Sequence, residues 1–132
     1  SLFGMIRVHG VHGFPNFTMF STRSTDGGKT WTMPEPTDVG GSPPHLFRHS
    51  SGALICSYGK RDGDAVGEHA MVSYDNGKTW RDDYILDDRC GNPDLGYPAT
   101  AELDDGSLIS VYYQQYADDR YTSILFTKWK LK

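Results

Sequence analysis

Ser24-Thr25-Asp26-Gly27-Gly28-Lys29-Thr30-Trp31 returns further along the chain as Ser73-Tyr74-Asp75-Asn76-Gly77-Lys78-Thr79-Trp80. Both copies follow the pattern S-x-D-x-G-x-T-W. A carboxylate can accept hydrogen bonds from turn amides, and glycine tolerates positive φ, so each copy reads as a sharp reversal between two strands. The closing tryptophan supplies apolar surface to cover a seam between neighbouring sheets. Calcium is the competing use of Asp-Gly turns. An EF-hand loop needs further acidic ligands and a closing Glu, and neither copy has them. Ser24, Asp26, Gly28, Thr30 and Trp31, with Ser73, Asp75, Gly77, Thr79 and Trp80, are therefore read as structural residues and not as metal ligands.

A second repeat is offset from the first: Pro44 to Ile55 matches Pro98 to Ile109, an apolar run, a Ser-Gly or Asp-Gly turn, and a second apolar run. That pattern is a hairpin. The two repeats interleave with a period of about fifty residues, in the range of four-stranded β-propeller blades. The expected complete blade has strands near 45–49, 53–59, 69–74 and 79–86. Before it, 3–8, 17–24 and 30–33 form a blade without its first strand. After it, 99–103, 107–114 and 122–131 form a blade that stops at its third. The expectation is an all-β, partial propeller of about three of six blades, divided at residues 1–38, 39–92 and 93–132. Further blades, or a second copy, would be needed to close the ring.

Composition agrees with this and excludes other classes. Fifteen glycines, seven prolines and seventeen aromatic residues in 132 suit short strands and tight turns. No apolar run is long enough to span a membrane as a helix, and the first residues do not form a signal peptide. The net charge of −4 is spread along the chain and gives no nucleic-acid footprint. Cys56 and Cys90 lack metal-ligand spacing and are read as free thiols, a disulfide between them staying open. No cofactor is expected.

Blade geometry selects one set of positions. Strands alternate in direction, so the start of strand one and the end of strand two share a face, opposite the S-x-D-x-G-x-T-W turns. Arg7 and Arg61 each end a second strand there, and Tyr97 precedes a first strand. Arginine presents a rigid fork of donors suited to a carboxylate, and nearby positive charge stabilises a phenolate. Read singly, each would be an ordinary loop residue; their convergence on one mouth is what makes them a candidate site. His9, His12 and His69, with Phe14, Phe17, Tyr113 and Tyr116, are further candidates to line that mouth.

Three segments, "IRVHGVHGFPNFTMFSTRSTDGGKTW", "GALICSYGKRDGDAVGEHAMVSYDNGKTW" and "DLGYPATAELDDGSLISVYYQ", together resemble the sialidase (neuraminidase) superfamily. In that family the first repeat is called the Asp box, or BNR repeat. The resemblance implies a glycosidase in which three arginines hold a sugar carboxylate, a tyrosine assisted by a glutamate attacks the anomeric carbon, and an aspartate is acid/base. Carried over by motif, Arg7 and Arg61 would be the second and third arginines and Tyr97 the nucleophile. A neutral phenol avoids the repulsion that a carboxylate nucleophile meets beside an anionic sugar, and sialidases depart from the usual pair of carboxylates. The first arginine, the aspartate and the glutamate would lie upstream of Ser1; Glu35, Glu68 and Glu102 do not match the glutamate. Pro98 stands where the family usually has serine, and Gln114 where many members have glutamate.

The resemblance thus implies a hydrolase of a terminal, acidic sugar on a glycan, secreted or periplasmic, with this segment inactive alone. The alternative is a non-catalytic carbohydrate-binding or scaffold propeller with the same fold. A purely structural fragment is a third reading.

Overall fold

The computed structural model describes the backbone of residues 1–132 and every side chain except those of residues 82 and 83. The chain is all-β, with no α-helix among the described residues. Its strands are β1 (Leu2–Ile6), β2 (Thr18–Ser24), β3 (Glu35–Gly40), β4 (Pro44–Arg48), β5 (Leu54–Lys60), β6 (Gly67–Ser73), β7 (Arg81–Asp87), β8 (Gly96–Glu102), β9 (Leu108–Gln114) and β10 (Ser123–Trp129). They form three antiparallel sheets in sequence order, β1-β2-β3, β4-β5-β6-β7 and β8-β9-β10. The hairpins read from Pro44 to Ile55 and from Pro98 to Ile109 are β4-β5 and β8-β9.

The middle sheet is apolar on both faces and packs against both neighbours. Toward the first sheet, Cys56, Tyr58 and Met71 meet Met19, Val39 and Met5. Toward the third, Ala53, Ile55, Ala70, Val72 and Tyr84 meet Leu108 and Trp129. The runs Leu54–Gly59 and Gly67–Ser73 are accordingly buried along their whole length, as strands covered on two sides must be. The outer face of the third sheet is different. Phe126 lies beside Val111 and Ala99, and Lys128 beside Ile109 and Ala101. Ile124, Phe126 and Val111 on that face are exposed. Cys56 and Cys90 are both free thiols.

One strand differs from its expected place. The first sheet continues not at 30–33 but at Glu35–Gly40, because the repeated turn is longer than its Asp-Gly reversal. Asp26 Oδ1 accepts from Ser24 Oγ at 2.8 Å and Thr30 N at 2.9 Å, and Asp26 Oδ2 accepts from Thr30 Oγ1 at 2.6 Å. Trp31 Nε1 then donates to Gly28 O at 3.1 Å, so Thr30 and Trp31 belong to the turn. The second copy repeats the bonds: Asp75 Oδ1 accepts from Ser73 Oγ and Thr79 N at 2.7 and 2.9 Å, and Asp75 Oδ2 from Thr79 Oγ1 at 2.6 Å. Trp80 packs across the seam onto Phe3 of the first sheet, 6.0 Å between rings. Trp31 instead lies over Gly4 of its own sheet and stays half exposed.

These bonds, Thr30 first, hold Asp26 down from 3.8 to about 2, and the matching bonds from Thr79 depress Asp75 further. A carboxylate depressed on folding contributes stability above its unfolded pKa and loses it as pH falls through the folded one. The melting temperature is therefore expected to drop between about pH 4 and pH 2. The double variant Asp26→Asn, Asp75→Asn should melt lower at pH 6 and show a shallower acid slope. Thermal melts followed by circular dichroism would check both.

Candidate functional site

Tyr97 is aimed by an irregularity in its strand. Gly96 pairs with Tyr113 but Ala99 pairs with Val111, so β8 carries one residue more than β9 between those pairs. An extra residue of this kind re-aims a side chain. The backbone pays for it in left-handed conformations, with φ of 117° at Gly96 and 51° at Tyr97. For a tyrosine that conformation is uncommon and is a mark of functional sites. Tyr97 is thus inside β8 and not ahead of it, and its ring is exposed.

Both arginines reach this ring. Arg7 follows the last residue of β1, and its Nη1 donates to the Tyr97 hydroxyl at 3.3 Å. Arg61 follows the last residue of β5, and its guanidinium carbon stands 5.8 Å from the Tyr97 ring centre. That distance is within reach of a cation–π attraction. Residues 90 positions apart in the chain are therefore neighbours at one end of the three sheets.

Other residues hold the arrangement, and sequence alone did not single out all of them. Arg61 Nε donates to Ser42 O at 3.0 Å and Arg61 Nη2 to the Tyr113 hydroxyl at 3.5 Å. Ser42 is itself fixed by a bond from its N–H to Gly59 O at 2.9 Å. Tyr113 stacks on Tyr97, 5.9 Å between ring centres, and its hydroxyl donates to Asp94 Oδ1 at 2.6 Å. Partial burial and the bond to Asp94 raise the Tyr113 phenol above its ordinary pKa, so it serves as a neutral donor. Asp94 stands three residues before Tyr97 in "PDLGYP", which was its only sequence signal.

The remaining candidates are distributed differently. His9 and His12 lie on the exposed loop after Arg7, His9 against Phe17 at 5.3 Å. Phe14 packs edge-on against Phe20 and lines a cavity of about 290 Å³ with Asn16, Asp38 and Asp62. His69 is not at the mouth surface: it is buried, stacked on Tyr58, with Nε2 2.8 Å from Ala65 O. Tyr116 belongs to another cluster, donating to Asp87 Oδ2 at 3.0 Å beneath the Arg89 guanidinium. Glu102 is used at the other end, where it accepts from Ser50 and lies 3.2 Å from His49. Glu35 lines a larger cavity of about 600 Å³ beside Trp80, which none of Arg7, Arg61 and Tyr97 touches. No group of three or more His, Cys, Asp or Glu side chains is placed to hold a metal among the described residues.

An exposed phenol flanked by two guanidinium groups can bind an anion and stabilise negative charge on its own oxygen. No protein-family model matches this chain, and no curated protein does. Among solved structures, it is similar to a protein of unknown function from Dyadobacter fermentans, at 27% identity and a TM-score of 0.77. The match covers 88% of this chain and 32% of that protein, so the chain spans about a third of its length.

Proposed function

We propose that this chain is part of an Asp-box β-propeller whose mouth binds a terminal acidic sugar, with Arg7 and Arg61 on the carboxylate and Tyr97 as nucleophile of a sialidase-like glycoside hydrolase. The observation that carries the reading is the Arg7 hydrogen bond of 3.3 Å to the hydroxyl of Tyr97, the same side chain whose ring Arg61 approaches. Three sheets packed face to face, the second and third each opening on the same hairpin pattern, support the propeller. The apolar outer face of β8-β9-β10 is where a further blade, of the same polypeptide or of a second copy, would pack.

Arg61→Ala tests the assignment of the carboxylate. Binding of a carboxylated monosaccharide should weaken about 10- to 100-fold, the worth of a charge-assisted hydrogen bond, while a neutral sugar is held equally well. Equal losses for both sugars, measured by calorimetry, would remove Arg61 from that role. The second reading, a carbohydrate-binding propeller without catalysis, is favoured by one observation. Among the described hydrogen bonds of Tyr97 none is to a carboxylate, since Asp94 takes Tyr113 instead. Binding without turnover of a fluorogenic glycoside would select it.

A further inference from the structure

Glu68 is a carboxyl group placed where ionisation is costly. It is fully buried, and neither of its carboxyl oxygens has a hydrogen-bond partner among the described residues. On β6 it alternates with Ala70 and Val72, which face the third sheet in the cluster with Leu108. On β9, Gln114 continues the row of Leu108, Ser110 and Tyr112 and is also fully buried, both amide atoms unpaired among the described residues. Two unsatisfied polar groups in one layer between sheets are far from the norm for a native core.

The surroundings of Glu68 show what it faces. It pairs across the sheet with Gly59 on β5 and Asp87 on β7. Arg61 lies two residues beyond Gly59. Asp87 is an ionised carboxylate already paired, since Arg89 bonds both of its oxygens at 2.9 and 2.8 Å and Tyr112 and Tyr116 donate to it. The next residue, His69, points into the opposite layer against Tyr58. Arg61 is the cation whose charge acts on Glu68, and among the described residues it makes no ion pair with a carboxylate. We propose that Glu68 is the internal counter-charge of Arg61, neutral while the mouth holds a carboxylated ligand and competing for the guanidinium once ionised. Proton binding at Glu68 and anion binding at Arg61 are then one coupled equilibrium.

The direction follows from the charges. Burial pushes the Glu68 carboxyl up to about 8, Arg61 pulling it down and Asp87 pushing it up. At neutral pH the group is protonated and the full charge of Arg61 faces the mouth. Above that value an anion forms behind Arg61, and a ligand carboxylate is repelled. Linkage makes the effect reciprocal: a tenfold change in affinity corresponds to about one unit in the pKa of Glu68.

The inference rests on the acidic-sugar reading for its ligand, and the test separates the two. Binding of N-acetylneuraminic acid and of its methyl ester to this chain would be titrated from pH 6 to pH 9.5, for the wild type and Glu68→Gln. The acid should bind about tenfold more weakly to the wild type at the alkaline end, with no such change for the ester or for Glu68→Gln. An equal alkaline loss in Glu68→Gln, or none in the wild type, overturns the proposal. In parallel, the Glu68 carboxyl carbon is followed by NMR without ligand. Its midpoint should rise by about one unit in Arg61→Ala, and an unchanged midpoint overturns the coupling. Should neither sugar bind at any pH, the acidic-sugar reading fails, and the NMR titration still decides whether Glu68 and Arg61 are coupled.

Discussion

Tyr97→Phe is expected to lower kcat on a sialoside by about a thousandfold or more, with KM nearly unchanged, in a polypeptide carrying this chain and the blades that close the ring. The substitution removes one oxygen. It leaves the stacking of ring 97 on ring 113 and the bulge that aims it, because both depend on the ring and the backbone. What it removes is the atom that Arg7 bonds at 3.3 Å, so the chemistry is lost and the folding is not. Steady-state kinetics beside a thermal melt would check this, and unchanged turnover would end the nucleophile assignment. A loss shared between kcat and stability would instead mark Tyr97 as a packing residue.

The largest structural effect is expected from Gly41→Ala. A Cβ at this position would stand 2.1 Å from Cδ2 of Tyr58, whose ring is buried in the layer between the first and second sheets. Tyr58 is also stacked on His69, so the ring has nowhere to go. Overpacking of this kind costs about 2 kcal/mol or more, a fall of roughly 5 °C or more in Tm. The site should suffer with it, because the next residue, Ser42, provides the carbonyl that Arg61 Nε bonds. Chemical denaturation would give the stability change, and a wild-type midpoint would mean that the two sheets slide apart more easily than their packing implies.

The distribution of what could be read beforehand follows the physics. The two S-x-D-x-G-x-T-W turns and two hairpins are local, each complete within a dozen residues, so they and the all-β class were visible in the sequence. Strand direction then sufficed to bring Arg7, Arg61 and Tyr97 to one end. Side-chain facing was out of reach, because in a strand one residue of slip exchanges the two faces. The bulge between Gly96 and Ala99 is such a slip. It aims Tyr97 at Tyr113, while plain alternation along β9 turns Tyr112 inward to Asp87, although "VYYQ" offers two adjacent tyrosines with nothing to choose between them. Glu68 was passed over for a related reason. Its burial depends on the third sheet lying across β6, a contact between segments some forty residues apart that no local pattern announces. The misplaced strand at 30–33 was a matter of turn chemistry: the hydrogen bonds of Thr30 and Trp31 take both residues out of the ladder before it begins.

The row of Ala99, Val111, Ile124 and Phe126 bears on handling as much as on architecture. Where no further blade covers it, water meets there an apolar strip that also carries the Lys128 ammonium group. Strips of that sort are satisfied by whatever flat, greasy surface comes first, and in a concentrated preparation that surface is the same strip on another molecule. Self-association of this segment on its own is thus expected to run through a handful of side chains on the outer face of β8-β9-β10.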